Sequence, residues 1–291
     1  MRVWQRGSVW VLGVAMLCAT PLAAQEDSAG SAACASCHKD LVENYAGSPH
    51  GGRAPARHVE SVACESCHGP GAAHAKNGAV SLIFDPARAP AKDVDAKCLQ
   101  CHEVPRPHYA NSSHGRSNVS CIGCHTIHAP GSTKYLLKVK QPELCVQCHS
   151  GVKAQFAAPL HHKVQEGLID CTDCHDAHGA VGEVDLSSAT SEFAICTKCH
   201  AATAGPFLYE HAPVKSEGCT GCHFPHGGPN PDLLIATRVN TLCLQCHLPS
   251  SAVPAHVQSA QSQPCVGCHV SIHGSNISPV FQETGGKKSE P

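Results

Sequence analysis

Twenty cysteines of this chain come as ten copies of one pattern: two thiols three residues apart, with a histidine directly after the second. In order these are Cys34, Cys37 and His38; Cys64, Cys67 and His68; Cys98, Cys101 and His102; Cys121, Cys124 and His125; and Cys145, Cys148 and His149. The second half continues with Cys171, Cys174 and His175; Cys196, Cys199 and His200; Cys219, Cys222 and His223; Cys243, Cys246 and His247; and Cys265, Cys268 and His269. Only Cys18 stands outside the pattern. Two thiols one helical turn apart can form thioethers with the two vinyl groups of one porphyrin, and the adjacent imidazole then reaches the central iron; this is the attachment signature of c-type haem. Zinc sites also use Cys-x-x-Cys pairs, and disulfides suit an oxidising compartment, but neither requires a histidine after every pair. The pattern predicts ten covalently bound c-type haems, with the ten motif histidines as proximal iron ligands.

The sixth iron ligands can be sought by elimination. The two methionines, Met1 and Met16, both lie in the first 24 residues, which read as a cleaved leader, so thioether ligation, which raises haem potential, is not on offer. Thirteen histidines lie outside the motifs, enough to close all ten sites with three to spare. The motifs fall into five successive pairs, and pairs two to five begin at Cys98, Cys145, Cys196 and Cys243, an internal repeat of about 50 residues. Within each pair one histidine follows the second motif shortly: His74, His128, His178, His226 and His273. Another precedes it: His50 or His58, His114 or His108, His161 or His162, then His211 and His256. Ser-Pro-His-Gly at His50 resembles Ser-Ser-His-Gly at His114, and His161-x-x-Val resembles His211-x-x-Val, which favours His50, His114 and His161. In Cys219-Thr-Gly-Cys-His-Phe-Pro-His226, the last histidine is too near in sequence to loop over to the far face of its own haem. It is expected to serve a neighbouring one, tying two cofactors through one loop.

The elements that position these groups must be short. Aromatics are 4% of the chain, while Gly and Pro together number 46, a composition of turns with few large core residues. Helix-start residues precede the first motif of most pairs: Asp93, Pro142-Glu143, Ser191-Glu192 and Asn240. Second motifs follow Gly- or Ser-containing loops. The expected fold class is a multihaem cytochrome c, mostly coil with short α-helices, an elongated haem array and little or no β-sheet, with haem replacing the apolar core. The stretch 75–97 holds Ser81-Leu82-Ile83-Phe84, which reads as local packing without assigned chemistry.

Arg2 and Arg6 precede an apolar run from Val9 to Leu17, and Pro21-Leu22-Ala23-Ala24 offers a small-residue cleavage site, so residues 1–24 read as a secretory signal peptide. The apolar run is shorter than the ~20 residues of a membrane span. Residues 25–278 form the expected haem domain of five tandem dihaem units, and 279–291 a flexible tail. Beyond the signal, 19 Lys and Arg face 23 Asp and Glu, which excludes a basic nucleic-acid surface. Bis-histidine iron has no exchangeable position, so electron transfer is expected in place of catalysis.

Five tandem pairs, Cys-His-Gly-Pro-Gly-Ala-Ala-His at 67–74, His-Ala-Pro-Val before CTGCHFPHG, and CVGCHVSIHGSN at 265–276 resemble the MtrA/DmsE family of periplasmic decahaem c-type cytochromes. The resemblance covers residues 34 to 278. It implies a periplasmic haem wire associated with the outer membrane and inserted in an outer-membrane β-barrel partner, passing electrons between periplasmic and extracellular cytochromes or other terminal donors and acceptors. A soluble periplasmic shuttle feeding a terminal reductase is the alternative that the residues leave open.

Overall fold

In the computed structural model, residues 27–52, 62–103, 108–128, 134–179, 192–247 and 263–282 are described. The signal segment, His58, His256 and most of the tail lie outside these residues. The chain is mostly coil with short helices, as expected. The longest helix is Ala91–His102, with 12 residues. Among the described residues the sheet content consists of two antiparallel pairs of two-residue strands: β1 (Leu160–His161) with β3 (Gly227–Gly228), and β2 (Tyr209–Glu210) with β4 (Gly274–Ser275).

Each motif is a single turn closed on itself. The motif histidine N–H bonds the carbonyl of the leading cysteine at 2.9–3.0 Å in Cys34–His38, Cys121–His125, Cys145–His149, Cys171–His175 and onward to Cys265–His269. First motifs lie on α-helices such as Glu192–Cys196 and Val239–Cys243, whereas the second motifs of the last three units are 3-10 turns at Cys171–Asp173, Cys219–Gly221 and Cys265–Gly267.

The two motifs of each unit are clamped by a polar side chain. Asp95 Oδ1 accepts from Cys121 N at 2.8 Å. Gln141 accepts from Thr172 N at 3.2 Å and donates to Thr172 Oγ1 at 3.0 Å. Glu192 accepts from Thr220 N at 2.6 Å and from its hydroxyl at 2.9 Å. Asn240 accepts from Cys265 N at 3.0 Å and donates to Gln263 O at 2.9 Å. The first unit reverses the direction: Glu65, inside its second motif, accepts from Ala29 N, Gly30 N, Gly71 N and the Ser28 hydroxyl. Glu192 and Asn240, read from sequence as starts of their own helices, therefore satisfy orphan amides on the opposite motif. The helix Val239–Cys243 has no side-chain cap of its own.

With the motifs clamped, the leading cysteines of each unit come side by side: Cys34 with Cys64, Cys98 with Cys121, Cys145 with Cys171, Cys196 with Cys219 and Cys243 with Cys265. None of the twenty motif cysteines is paired in a disulfide. Among the described residues the buried apolar side chains are Val94, Tyr109, Phe156, Val164 and Ile195, too few to hold a chain of this size by hydrophobic burial alone.

Candidate haem-binding site

After the second motif of a unit the chain makes a loop and returns. Thr126 N bonds Leu136 O at 2.8 Å and Lys138 N bonds Cys124 O at 2.9 Å, closing a loop that carries His128. Phe224 N to Leu233 O at 2.7 Å and Ile235 N to Cys222 O at 3.0 Å close the loop of His226. Ser271 N to Phe281 O at 3.1 Å closes that of His273. The closures need left-handed backbone at Tyr135, Leu136, Asp232, Leu233 and Phe281, with φ of 53–61°, strain of the kind usually found at functional positions.

These loops lean on the preceding unit, and glycine makes the approach feasible. A Cβ on Gly227 would sit 2.4 Å from Gln155 O. On Gly179 it would meet Ser112 Cβ at 2.7 Å, and on Gly274 the Phe207 ring at 2.1 Å. An aromatic side chain of the earlier unit then packs on the histidine that arrives: Tyr45 on His128, Tyr109 on His178 and Phe156 on His226, with centroids 5.3–6.3 Å apart. The scarce aromatics are thus concentrated where units join.

The outcome is a set of facing imidazoles, each pairing one motif histidine with one from outside the motifs. His38 faces His74 at 6.2 Å between ring centroids, His68 faces His128 at 5.8 Å and His102 faces His50 at 5.9 Å. His125 faces His178 at 5.9 Å, His149 faces His114 at 6.0 Å and His175 faces His226 at 6.0 Å. His200 faces His162 at 6.1 Å, His223 faces His273 at 6.1 Å and His247 faces His211 at 6.2 Å. His256, expected as a sixth ligand, lies outside the described residues, so the facing partner of the tenth motif histidine, His269, is not assigned by geometry.

The pairing follows a rule. Between units one and two, His50 crosses forward to His102 and His128 crosses back to His68. His114 and His178 make the same exchange between units two and three, His162 and His226 between three and four, and His211 and His273 between four and five. Strand pairs β1–β3 and β2–β4 sit at the last two of these joints and bring the crossing histidines together. Among the described residues, His74 alone faces a motif histidine of its own unit, His38.

One sequence expectation is corrected in this geometry: His162, and not His161, faces His200. His161 has both ring nitrogens engaged, Nδ1 with Ala158 O at 2.7 Å and Nε2 with Glu166 Oε1 at 3.0 Å. Its β1 position pairs with Gly227, and successive residues of extended backbone face opposite ways, so only one of the two adjacent histidines can point at His200. The resemblance of His161-x-x-Val to His211-x-x-Val compares positions one residue out of register. His108, the other spare in the described residues, faces no motif histidine in any of these pairs.

The donor set fits haem iron. A metal–imidazole bond of about 2 Å places two imidazoles trans across one metal with centroids roughly 6 Å apart, which all nine pairs satisfy. Nδ1 of many of these rings is tied to an oxygen, leaving Nε2 for a metal. His68 donates to Phe84 O at 2.9 Å, His125 to Tyr135 O at 2.9 Å, His223 to Asp232 O at 2.7 Å and His269 to Val280 O at 2.6 Å. Among the facing histidines, His74 donates to Ala79 O, His114 to Ala177 O, His162 to Pro225 O and His226 to Gln155 Oε1. Burial, then the facing imidazole, lowers the pKa of His50, His128, His211, His226 and His273, favouring the neutral form that binds metal. Sequence reasoning passed over Phe84, Tyr135, Asp232 and Val280, because a carbonyl acceptor carries no side-chain signature. The Gly after His50, His114, His178, His226 and His273 was a readable signal for the facing histidines. Glu192, Cys196 and Cys219 bring their ligand atoms within 4.8 Å of one another, but both cysteines are motif thiols and Glu192 is the unit clamp.

Comparison with known proteins supports the paired motifs. A family model for the doubled CXXCH motif matches residues 114–154, 161–205 and 211–252. The chain is 32% identical over 273 residues to the multiheme cytochrome MtrA of Shewanella baltica (strain OS185), covering 85% of this chain and 79% of that protein. It is 27% identical over 124 residues to the cytochrome c-type protein NrfB of Escherichia coli O6:H1, covering 41% of this chain and 65% of that one. Paired motifs, facing imidazoles and relatives agree: the chain belongs to the MtrA/DmsE family of multihaem c-type cytochromes, electron-transfer proteins that hold their haems covalently on Cys-x-x-Cys-His motifs.

Proposed function

We propose that the chain carries ten haems, each with two histidine ligands, and works as an electron wire inserted in an outer-membrane β-barrel partner, linking periplasmic electron carriers to extracellular donors or acceptors. The motif histidines His38 to His269 are the proximal ligands. The distal ligands are His74, His128, His50, His178, His114, His226, His162, His273 and His211 on sites one to nine, and His256 on the tenth. The observation that carries the reading is the unbroken run of nine facing pairs, eight of which cross between units.

The haems, when bound, supply one-electron couples. The chain's own residues do the rest. With haem bound, the facing histidines would hold the iron from both sides and leave no place for an exchangeable ligand, which argues against bond-making catalysis at these nine sites. Crossing histidines hold one cofactor from two units, so the separation between sites is fixed by covalent chain and not by docking. His/His ligation sets low potentials. Among the described residues no helix is long and apolar enough to cross a membrane. A polar chain cannot face lipid, and a line of ten sites, each on the order of a helix diameter of ~10 Å, exceeds the ~40–45 Å of a bilayer with its headgroups. A barrel sheath reconciles these conditions.

The test is fractionation of native cells, following the haem-stained band, with a pyridine haemochrome count on the purified protein. Recovery from detergent-solubilised outer membrane with a large β-barrel protein, at ten haems per chain, supports the wire. Recovery in the soluble periplasmic fraction with a reductase overturns the barrel and favours the shuttle.

A further inference from the structure

The nine facing pairs divide by the angle between their rings. In His50–His102, His114–His149 and His162–His200 the planes cross at 67°, 72° and 79°. In the other six pairs the angle is 13–37°. In each crossed pair the facing histidine precedes the second motif of its own unit and crosses forward to the next, as His211 also does in its near-parallel pair with His247. Within this class His114 donates its Nδ1 hydrogen to Ala177 O at 3.0 Å and His162 donates to Pro225 O at 2.5 Å. His50 does not. Its Nδ1 is cut off from solvent and, among the described residues, is the one buried side-chain nitrogen or oxygen without a hydrogen-bond partner.

An imidazole whose Nδ1–H is held by an oxygen gains imidazolate character and donates more strongly to ferric iron, which lowers the potential; burial away from water opposes the more highly charged ferric state and raises it. At His50 the first influence is missing and the second is present, so both act in one direction. We propose that His50, by offering iron an imidazole with no acceptor behind it, makes the His102 site the highest-potential of the three crossed sites at His102, His149 and His200. The proposal deepens the bis-histidine reading above and depends on it. An unpaired buried N–H costs stability, and a function in setting the potential is a reason to keep one.

The experiment is a potentiometric titration of the haem-loaded, full-length protein followed by low-temperature EPR. Crossed imidazole planes leave the two iron dπ orbitals nearly degenerate and give a single feature at large g, whereas near-parallel planes give a rhombic three-line signal, so the classes are separately visible. The variants H50G, H114G and H162G each identify one large-g component by its disappearance. The expected result is that the component lost in H50G is, in the unmodified protein, the first of the three to vanish as the potential falls. If it vanishes with or after the other two, the proposal is overturned and the ligand assignment stands. If H50G removes no large-g component, the ligand assignment is overturned and the proposal falls with it. Should H50G fail to mature, the other two variants still decide: a large-g component that titrates ahead of the rest and survives in both H114G and H162G supports the proposal, and large-g components that all titrate together overturn it.

Discussion

Replacing His162 and His161 separately tests the geometry where it departs from local sequence similarity. His162 faces His200 at 6.1 Å, with Nδ1 held by Pro225 O. His161 is bonded through both nitrogens, to Ala158 O and Glu166. Deleting the His162 imidazole by H162A should open one site among ten motifs, so about one tenth of the haem should turn high-spin while the motif thioethers, and the haem count, stay intact. The neighbouring His161 cannot step in without unpairing β1 from Gly227 and giving up both hydrogen bonds. H161A should leave the haem wholly low-spin. The assay is quantitative EPR of the oxidised protein, supported by the Soret and high-spin charge-transfer bands, with haem per chain measured on the same samples. High-spin haem in H161A, or an entirely low-spin H162A, would refute the assignment and the reasoning from strand alternation behind it.

Three further outcomes are expected. Gly227→Ala places a Cβ 2.4 Å from Gln155 O; no rotamer relieves a backbone clash, so the joint between units three and four should open. Two sites, those of His175 and His200, should lose low-spin character, while Gly151→Ala, which meets nothing within 4 Å, should be neutral or slightly stabilising. Asp95→Ala removes the acceptor for Cys121 N from a carboxylate only 8% exposed, and the stranded amide should cost about 1–3 kcal/mol, read as a lower unfolding midpoint of the haem-loaded protein. Glu65 is held down to about 2 chiefly by the Ser28 hydroxyl, aided by the amides of Ala29, Gly71 and Gly30. Because its folded pKa is depressed, its contribution is complete above the ordinary value of 4.5 and is lost as pH falls toward 2. After allowance for its solvent exposure that contribution is about 1 kcal/mol; Glu65→Gln should lower the midpoint at pH 7 and converge on the unmodified protein near pH 2.

The sequence carried the chemistry further than the architecture. Cys-x-x-Cys-His is a local device, closed by a bond from His to the leading Cys within one turn, so its spacing alone announces it. The post-motif histidines were legible for the same reason: His226 is too close to His223 to serve it, and the structure turns it to His175. Which earlier site each histidine would face was not legible, because the partners are separated by about 50 residues and meet through joints made of backbone. Gly227 against Gln155 O, or Tyr135 O against His125, leaves no pattern in side-chain types. Glu192 and Asn240 show the limit from the other side. Their residue types signalled an orphan amide to be capped, which was right, but the amide belongs to a different motif.

The reciprocal crossing of histidines has a consequence for how the protein is made. On the proposed ligand set no unit completes its own haems: the second site of units one to four would wait for a histidine that lies beyond the next unit's second motif, as His68 for His128 and His223 for His273. If haem is attached from the N-terminus during export, the second site of each of units one to four would lack its facing histidine until the successor docks. Maturation of such a chain would proceed like a zip, with one open face travelling along it. A chain that stops early would keep that face open, and binding of an added ligand at it would distinguish unfinished molecules from finished ones.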